Sequence, residues 1–400
     1  MKDWSGPMKS KLYHFPRFAK VIQKTTIFAK TKSMRRVLVH CLSLLVTVLI
    51  VSCSQKSSVS RVDSVVTINI PVYYNDSVQF PSISRMFETD TVVLETGAFE
   101  TLLGEDIKDI EILDDTLIIL SGDFNKGVIH LFDINGRFIR KIDKTGRGPG
   151  EYLNIRKIDI DPVKRHIIVF DNGVGILRYT MDGVFVSKVR YEYNALDFAL
   201  LPDGGYVLFT PFQQTQHGGL WMIDSEGNFK RTLISYEDYD IGIVAGSSWL
   251  THINDSVIGF SGLKDKIYHI ANDTIYTAYQ LISEIIDPYE EEPGVLPPYD
   301  KLRYYECDNL MMFDLQARRG SYHYIRVFYE KKNGQADFFF WSTHPTIPKD
   351  HLLPQFKGHY KGIYFYELSP LSIMYDDELK AKYPDITEES NPFILLFRSK

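Results

Sequence analysis

From residue 107 onward, short apolar runs alternate with tight polar turns, and the arrangement recurs. Four segments share one grammar of apolar strand, polar turn and second strand: 128–140, 176–186, 220–229 and 267–276. Asn135-Gly136 and Asp182-Gly183 predict hairpins whose two central residues both take positive φ. Gly136 and Gly183 are 47 residues apart, Gly227 lies 44 further on and Asp273 another 46. A period of about 45 residues with four strands per unit is the mark of a propeller blade. Within one unit the strands read as 155–161, 166–170, 176–180 and 184–189. The second is a continuous apolar run, as burial between neighbouring blades requires. Residues 107–140 and 195–235 repeat this pattern, 247–282 repeats it loosely, and 300–345 and 355–400 are less regular.

The prediction is an all-β fold, a six-bladed β-propeller with four-stranded blades; seven blades would crowd the chain. A strand at 89–95 has no hairpin partner just upstream. It is expected to close the last blade by pairing near 392–397, which removes exposed edges. One helical insertion is expected at 376–390, with Asp376, Asp377 and Glu378 at its start and Pro384 ending it.

The front of the chain has a different pattern. Met34-Arg35-Arg36 precedes an apolar run over 37–51 that ends in Ser52-Cys53. Fifteen apolar residues suit a signal peptide better than a membrane span. The ending resembles the bacterial lipobox, which implies cleavage before Cys53 and a lipid on its thiol. The other reading is a signal-anchor helix with an incidental cysteine. The domains are then a non-native upstream extension at 1–33, with Met34 as the true start and a long cytoplasmic n-region as the other reading, a signal peptide at 34–52, a lipidated Cys53 with its tether at 53–84, and the propeller at 85–400. Val65-Val66-Thr67-Ile68 gives the tether some strand character. Surface-exported lipoproteins of Bacteroides-type bacteria carry acidic residues after the cysteine. Here Ser-Gln-Lys-Ser-Ser follows, so the expectation is an outer-membrane lipoprotein facing the periplasm.

Charge changes the list of partners. The chain has a formal charge of −6, but residues 1–53 hold ten Lys/Arg and one acid. The remainder carries 35 basic and 50 acidic residues, near −15. A body that acidic repels phosphate backbones, so nucleic acid is not an expected partner. Of three cysteines, Cys41 lies in the apolar run, Cys53 is the lipid site and Cys307 is alone, so the body has no internal disulfide and no zinc knuckle.

Thr145-Gly-Arg-Gly-Pro-Gly-Glu-Tyr152 falls between an outer strand and the next inner strand. It resembles the GxGPGEY motif of the bacterial, Bacteroides-type six-bladed β-propeller lipoprotein family. The ending 389–400, an Asn-Pro followed by an apolar strand, resembles that family's ending. The resemblance spans roughly residues 85–400 and implies fold and compartment. It assigns no reaction and no catalytic residue.

Candidate chemistry is sparse. Arg147, Glu151 and Tyr152 mark the Gly-rich loop as a candidate site, yet Pro149 lacks an N–H and the P-loop ending is missing. As a structural turn, its glycines take positive φ and Arg147 pairs with Glu151. Asp159 and Asp161 share one side of a strand and could hold a cation or act as an acid/base pair; Asp161 also suits the turn before Pro162. His130, His166 and His269 read as packing or surface residues. Tyrosines crowd the last blades (Tyr304, Tyr305, Tyr322, Tyr324, Tyr329, Tyr360, Tyr364 and Tyr366) as core or as a stacking platform. Asp-Ser/Thr-aliphatic triplets resemble an O-glycosylation sequon of exported Bacteroides-type proteins, with Ser64 and Ser77 in the tether as candidates. No metal or cofactor is expected. Two functions remain. One is a lipid-anchored binding or scaffolding module for a protein, peptide or glycan. The other is a hydrolase or lyase acting on a glycan or peptide at the axial mouth.

Overall fold

Continuous apolar runs in the repeating segments become strands covered on both faces, and the alternating runs become edges. The computed structural model describes residues 65–70, 83–104, 106–123, 126–171, 174–191, 195–211, 218–235, 249–262, 265–283, 299–317, 324–341 and 356–400. Cys53, Ser64 and Ser77 lie outside the described residues.

The chain opens with β1 (Val66–Ile70), α1 (Ile83–Met86) and β2 (Phe87–Val93). Four sheets then form in sequence order. The first is β3 (Ile107–Leu113), β4 (Thr116–Ser121), β5 (Val128–Asp133) and β6 (Phe138–Ile142). The second is β7 (Ile155–Asp161), β8 (His166–Asp171), β9 (Gly175–Thr180) and β10 (Phe185–Val189). The third is β11 (Asp197–Leu200), β12 (Tyr206–Thr210), β13 (Gly219–Ile223) and β14 (Phe229–Ser235). The fourth is β15 (Leu250–Asn254), β16 (Val257–Phe260), β17 (Lys266–Ala271) and β18 (Thr274–Ser283). The fifth follows with β19 (Tyr299–Glu306), β20 (Leu310–Ala317), β21 (Tyr324–Glu330) and β22 (Gln335–Trp341). The sixth joins β23 (Phe356–Tyr360), β24 (Ile363–Leu368) and β25 (Phe393–Ser399) to β2 from the other end of the chain.

This is the six-bladed propeller the periodicity predicts. The first strands of successive sheets touch in the order β23, β3, β7, β11, β15, β19. The Tyr305 hydroxyl on β19 donates to the Phe356 carbonyl on β23 at 3.2 Å, which completes the inner ring. Six apolar clusters sit between neighbouring blades, one at each interface. The closing strand pairs antiparallel with β25, from Phe87 opposite Ser399 to Val93 opposite Phe393. Asn391, from the Asn-Pro motif, fastens the seam. Its amide donates to the Glu95 and Thr101 carbonyls, both at 2.7 Å, and its oxygen accepts the Leu103 N–H at 2.9 Å.

Three details differ from the sequence reading. β1, inside the stretch read as a tether, adds in parallel to β18 as a fifth strand on the fourth blade. Its alternation buries Ile68 and Ile70 while Thr67 and Asn69 stay exposed. The hairpins at Gly136, Gly183 and Gly227 have three-residue loops. Asp133 bonds Arg137, Thr180 bonds Val184 and Asp224 bonds Asn228 across them. Only the glycine of each loop takes positive φ, and each partner strand carries a bulge, the arrangement of a type I turn closed by a glycine bulge. The two-residue form occurs instead at Asn272 and Asp273, with φ of 48° and 60°. The C-terminal insertion is two short helices, α2 (Pro370–Met374) and α3 (Asp377–Lys382); Asp376 caps α3 by accepting from the Glu378 and Leu379 N–H groups.

Candidate functional site

Inner strands of a propeller present one row of side chains to the axis, and here that row is charged. Ile107-Lys-Asp-Ile-Glu-Ile112 on β3 and Ile155-Arg-Lys-Ile-Asp-Ile160 on β7 alternate isoleucine with charge. The buried isoleucines pack between blades, and the polar residues between them reach the centre.

Three aspartates staple neighbouring blades. Asp109 accepts the Ile158 N–H of the next blade at 3.1 Å, Asp159 accepts the Leu200 N–H at 2.8 Å, and Asp197 accepts the Trp249 and Leu250 N–H groups at 2.7 and 2.8 Å. The other oxygen of each caps the N–H of its own next residue. Inner strands lack a ladder between blades, and these carboxylates satisfy backbone donors that burial would orphan.

Above the staples lies a cavity of about 820 Å³ with walls from all six blades. Lys157 crosses it to Asp197 at 2.8 Å and to the Leu250 carbonyl at 2.8 Å. His252 reaches back from β15 to Asp159 at 2.9 Å. Tyr305, Phe356 and Tyr360 supply aromatic surface. The side chain of Glu111, half-buried in the wall, makes no hydrogen bond or ion pair among the described residues.

Protonation is shifted across this cluster. Burial raises Asp109 to about 7, against the pull of Lys157 and the Ile158 N–H. Burial also pushes Glu111 well above the carboxyl range, and Asp109 and Asp159 add to it. Asp159 is buried too, yet His252, the Leu200 N–H and Lys157 outweigh burial and hold it below its ordinary value. For Lys157 burial opposes the charge, but Asp197 and Asp109 prevail and raise it. Burial lowers His359 to about 3. Neutral and ionised carboxyls therefore stand side by side in one ligand-sized space.

The Gly-rich loop is elsewhere, between β6 and β7. Glu151 accepts the Gly148 N–H at 2.6 Å, so its own carboxylate occupies the position an incoming anion would need. It does not pair with Arg147 among the described contacts. Tyr152 is buried, donates to the Ile142 carbonyl at 3.1 Å and accepts the Lys144 N–H at 3.0 Å. Of the loop's glycines only Gly150 has positive φ, at 75°; a Cβ at Gly146 would meet the Glu151 carboxylate at 2.0 Å. The three loop residues do not line the axial cavity.

Asp159 and Asp161 separate in role. Asp161 pairs with buried Arg178 at 3.0 Å, and Arg178 also donates to Tyr206 and the Gly204 carbonyl. Tyr322 lies outside the described residues; among the described members of the C-terminal set, Tyr304, Tyr305, Tyr329 and Tyr364 are buried, and only Tyr305 and Tyr360 line the cavity. His130 is buried, and His269 bonds Glu306 at 2.9 Å. The sequence reading missed Asp109, Glu111, Lys157 and His252. The charge–isoleucine alternation on β3 and β7 was the available signal. Among the described residues no three His, Cys, Asp or Glu side chains gather as a metal site.

Comparison with known proteins places this geometry in context. No curated protein matches the chain. A crystal structure of a Bacteroides fragilis NCTC 9343 protein named as exported shares 18% identity, with a TM-score of 0.64 over 84% of this chain and 99% of that one. That likeness is one of fold. An oligogalacturonate lyase in complex with manganese shares 10% identity over 79% of this chain and 97% of its own, but its TM-score of 0.37 carries no argument. A family model described as a domain of unknown function, DUF4934, matches residues 65–398, and the chain belongs to that family.

Proposed function

We propose that the protein is an exported, lipid-anchored propeller that binds a polar ligand, a glycan or a peptide, in its axial cavity. The observation that carries this is the cavity itself, about 820 Å³ with charged and aromatic walls from every blade. That volume is within the range of small-ligand sites, roughly 300–1,000 Å³. Rigid blades hold the walls, so little ordering accompanies binding. The lipobox-like Leu49-Ile-Val-Ser-Cys53 and the exported neighbour support an anchor in the envelope, with the disc on the periplasmic face of the outer membrane.

The test is a binding panel of oligosaccharides and peptides against the full chain in detergent and against its His252→Trp form, which fills the cavity. Ligands found with the native chain should lose at least tenfold in affinity with the filled one. Unchanged affinity puts the site elsewhere.

A second reading, hydrolase or lyase, draws on one arrangement. His252 is oriented by Asp159, and Glu111, lacking a partner, holds a proton. An oriented imidazole beside a protonated carboxyl is a base and an acid facing one space. Cleavage products from a ligand found in the panel would decide for this reading; intact recovery of the ligand decides for binding.

A further inference from the structure

One side chain of the axial cavity is fixed on one side and open on the other. His252 belongs to β15 and lines the space. Its Nε2 lies 2.9 Å from Oδ2 of Asp159 on β7. That carboxylate also accepts the Ile160 N–H at 2.7 Å and the Leu200 N–H at 2.8 Å. Three donors on one carboxyl favour its ionised form, and the two backbone donors hold it in place. An ionised carboxylate only accepts, so the neutral ring carries its hydrogen on Nε2 and a lone pair on Nδ1. That Nδ1 has no hydrogen-bond or ion-pair partner among the described residues. The Nδ1 of His359 is shut away from solvent; that of His252 is not, and 33% of its side chain is accessible. An imidazole oriented by a carboxylate, with its other nitrogen open to a ligand-sized space, has the form of a general base.

What this base can activate follows from its surroundings. Among the described residues that line the cavity there is no serine and no cysteine. Thr251 is 7% exposed and precedes His252 on the strand, so its side chain takes the opposite side. The Lys157 amine is taken up by Asp197 and by the Phe198 and Leu250 carbonyls. The Tyr305 hydroxyl donates to the Phe356 carbonyl. Water is then the nucleophile that remains for Nδ1.

We infer that His252 is the general base of an ester hydrolysis in the axial cavity, with Asp159 as its positioning residue and water as the nucleophile. This rests on the hydrolase reading above and gives it a substrate class, short-chain carboxylic esters on a polar carrier such as a sugar. The carrier is polar because the lining is charged, with Glu111 from β3, Lys157 from β7, Asp203 from the β11–β12 turn, Arg303 from β19 and Lys357 from β23. His252 Nδ1 takes a proton from water as the water oxygen bonds to the ester carbonyl carbon, and the carbonyl π pair moves onto its oxygen. When that pair returns, the bond from carbon to the alkoxy oxygen breaks. The imidazolium then gives its proton to the departing alkoxide. The products are the free acid and the alcohol, and the ring ends neutral. One base that returns its proton suffices for an ester, whereas a glycosidic bond calls for two carboxyls flanking it.

The experiment follows acetate release by the full chain from glucose pentaacetate, beside the activated ester p-nitrophenyl acetate, between pH 5 and pH 9. The native chain should cleave both above the buffer rate, faster as pH rises until the ring is neutral. His252→Gln should lower both rates at least ~100-fold, with an unchanged melting temperature, and its residual rate should lose that pH dependence. Asp159→Asn should slow both and alter the pH profile, whereas a merely structural role would move the melting temperature alone. Equal rates for the native chain and His252→Gln overturn the inference. So does cleavage of p-nitrophenyl acetate alone, since any accessible imidazole attacks that probe. If His252→Gln fails to fold, the native chain decides: its rate on glucose pentaacetate should fall in heavy water, because a proton moves in the step, and an unchanged rate overturns general-base action. Esters left intact overturn the inference as well. The binding panel with His252→Trp then judges the axial reading, and cleavage of another panel ligand judges the hydrolase reading, each separately.

Discussion

Asn391 makes three hydrogen bonds to backbone groups at 95, 101 and 103 and is 3% exposed. Asn391→Ala leaves those groups unmet in a part-buried seam, and unmet buried groups cost about 1–3 kcal/mol each. Chemical denaturation should show a loss of about 3 kcal/mol in total. At Gly150 the φ of 75° and Phe185, 2.5 Å from a would-be Cβ, both oppose a side chain. Gly150→Ala should cost about 2 kcal/mol while leaving ligand affinity unchanged, because the loop is away from the axis. Lost affinity at undiminished stability would return the loop to candidacy as a site. Both residues stood out in sequence, through Asn-Pro and Gly-Pro-Gly. Asp109 did not, because its role depends on a neighbouring strand 49 residues away. Its folded pKa of about 7 lies above the unfolded value, so the folded state binds the proton more tightly. The stability from that proton is complete below pH ~4 and is lost as pH rises toward ~7. Asp109→Asn should flatten that decline, so the native chain loses stability relative to the variant between pH 5 and pH 8. Parallel pH profiles for the two proteins would contradict the burial argument.

At the scale of elements, β2 is the join between the two ends of the ring. Seven residues pair with β25 in unbroken register, and Val92 and Leu94 bury against the first blade and the last. Deleting 85–95 should lower the melting temperature by on the order of 10 °C, since it removes a full strand ladder and its apolar contacts. A shift within a degree of the intact chain would contradict closure through this strand. The strand was legible because its β-branched content had no local partner. β1 was harder to place. Five residues of alternating pattern do not say which sheet they join, and its partner β18 is over 200 residues away. The hairpins show a similar limit. Asn-Gly and Asp-Gly signal a turn correctly, but loop length follows from strand register, which the bulges shift.

The described residues form a ring of six apolar interfaces around a polar axis. The period of about 45 residues exposed the ring in sequence because each blade repeats the same burial problem. The axis stayed hidden because no single blade contains it: His252, Glu111 and His359 come from three blades and meet only after closure. Anchoring belongs to this scale too. Cys53→Ser should abolish fatty-acid labelling and release the chain from washed membranes; retained labelling would remove the lipid assignment. Ligand is proposed to bind at the ring's axis, and not at its rim or its Gly-rich loop. The most direct measurement is hydrogen–deuterium exchange of the full chain with and without a ligand taken from the panel. Slowed exchange is expected at the inner strands 107–113, 155–161, 250–254 and 356–360, with 144–152 unchanged. Protection confined to the outer strands or to 144–152, with the inner strands unaffected, would contradict it.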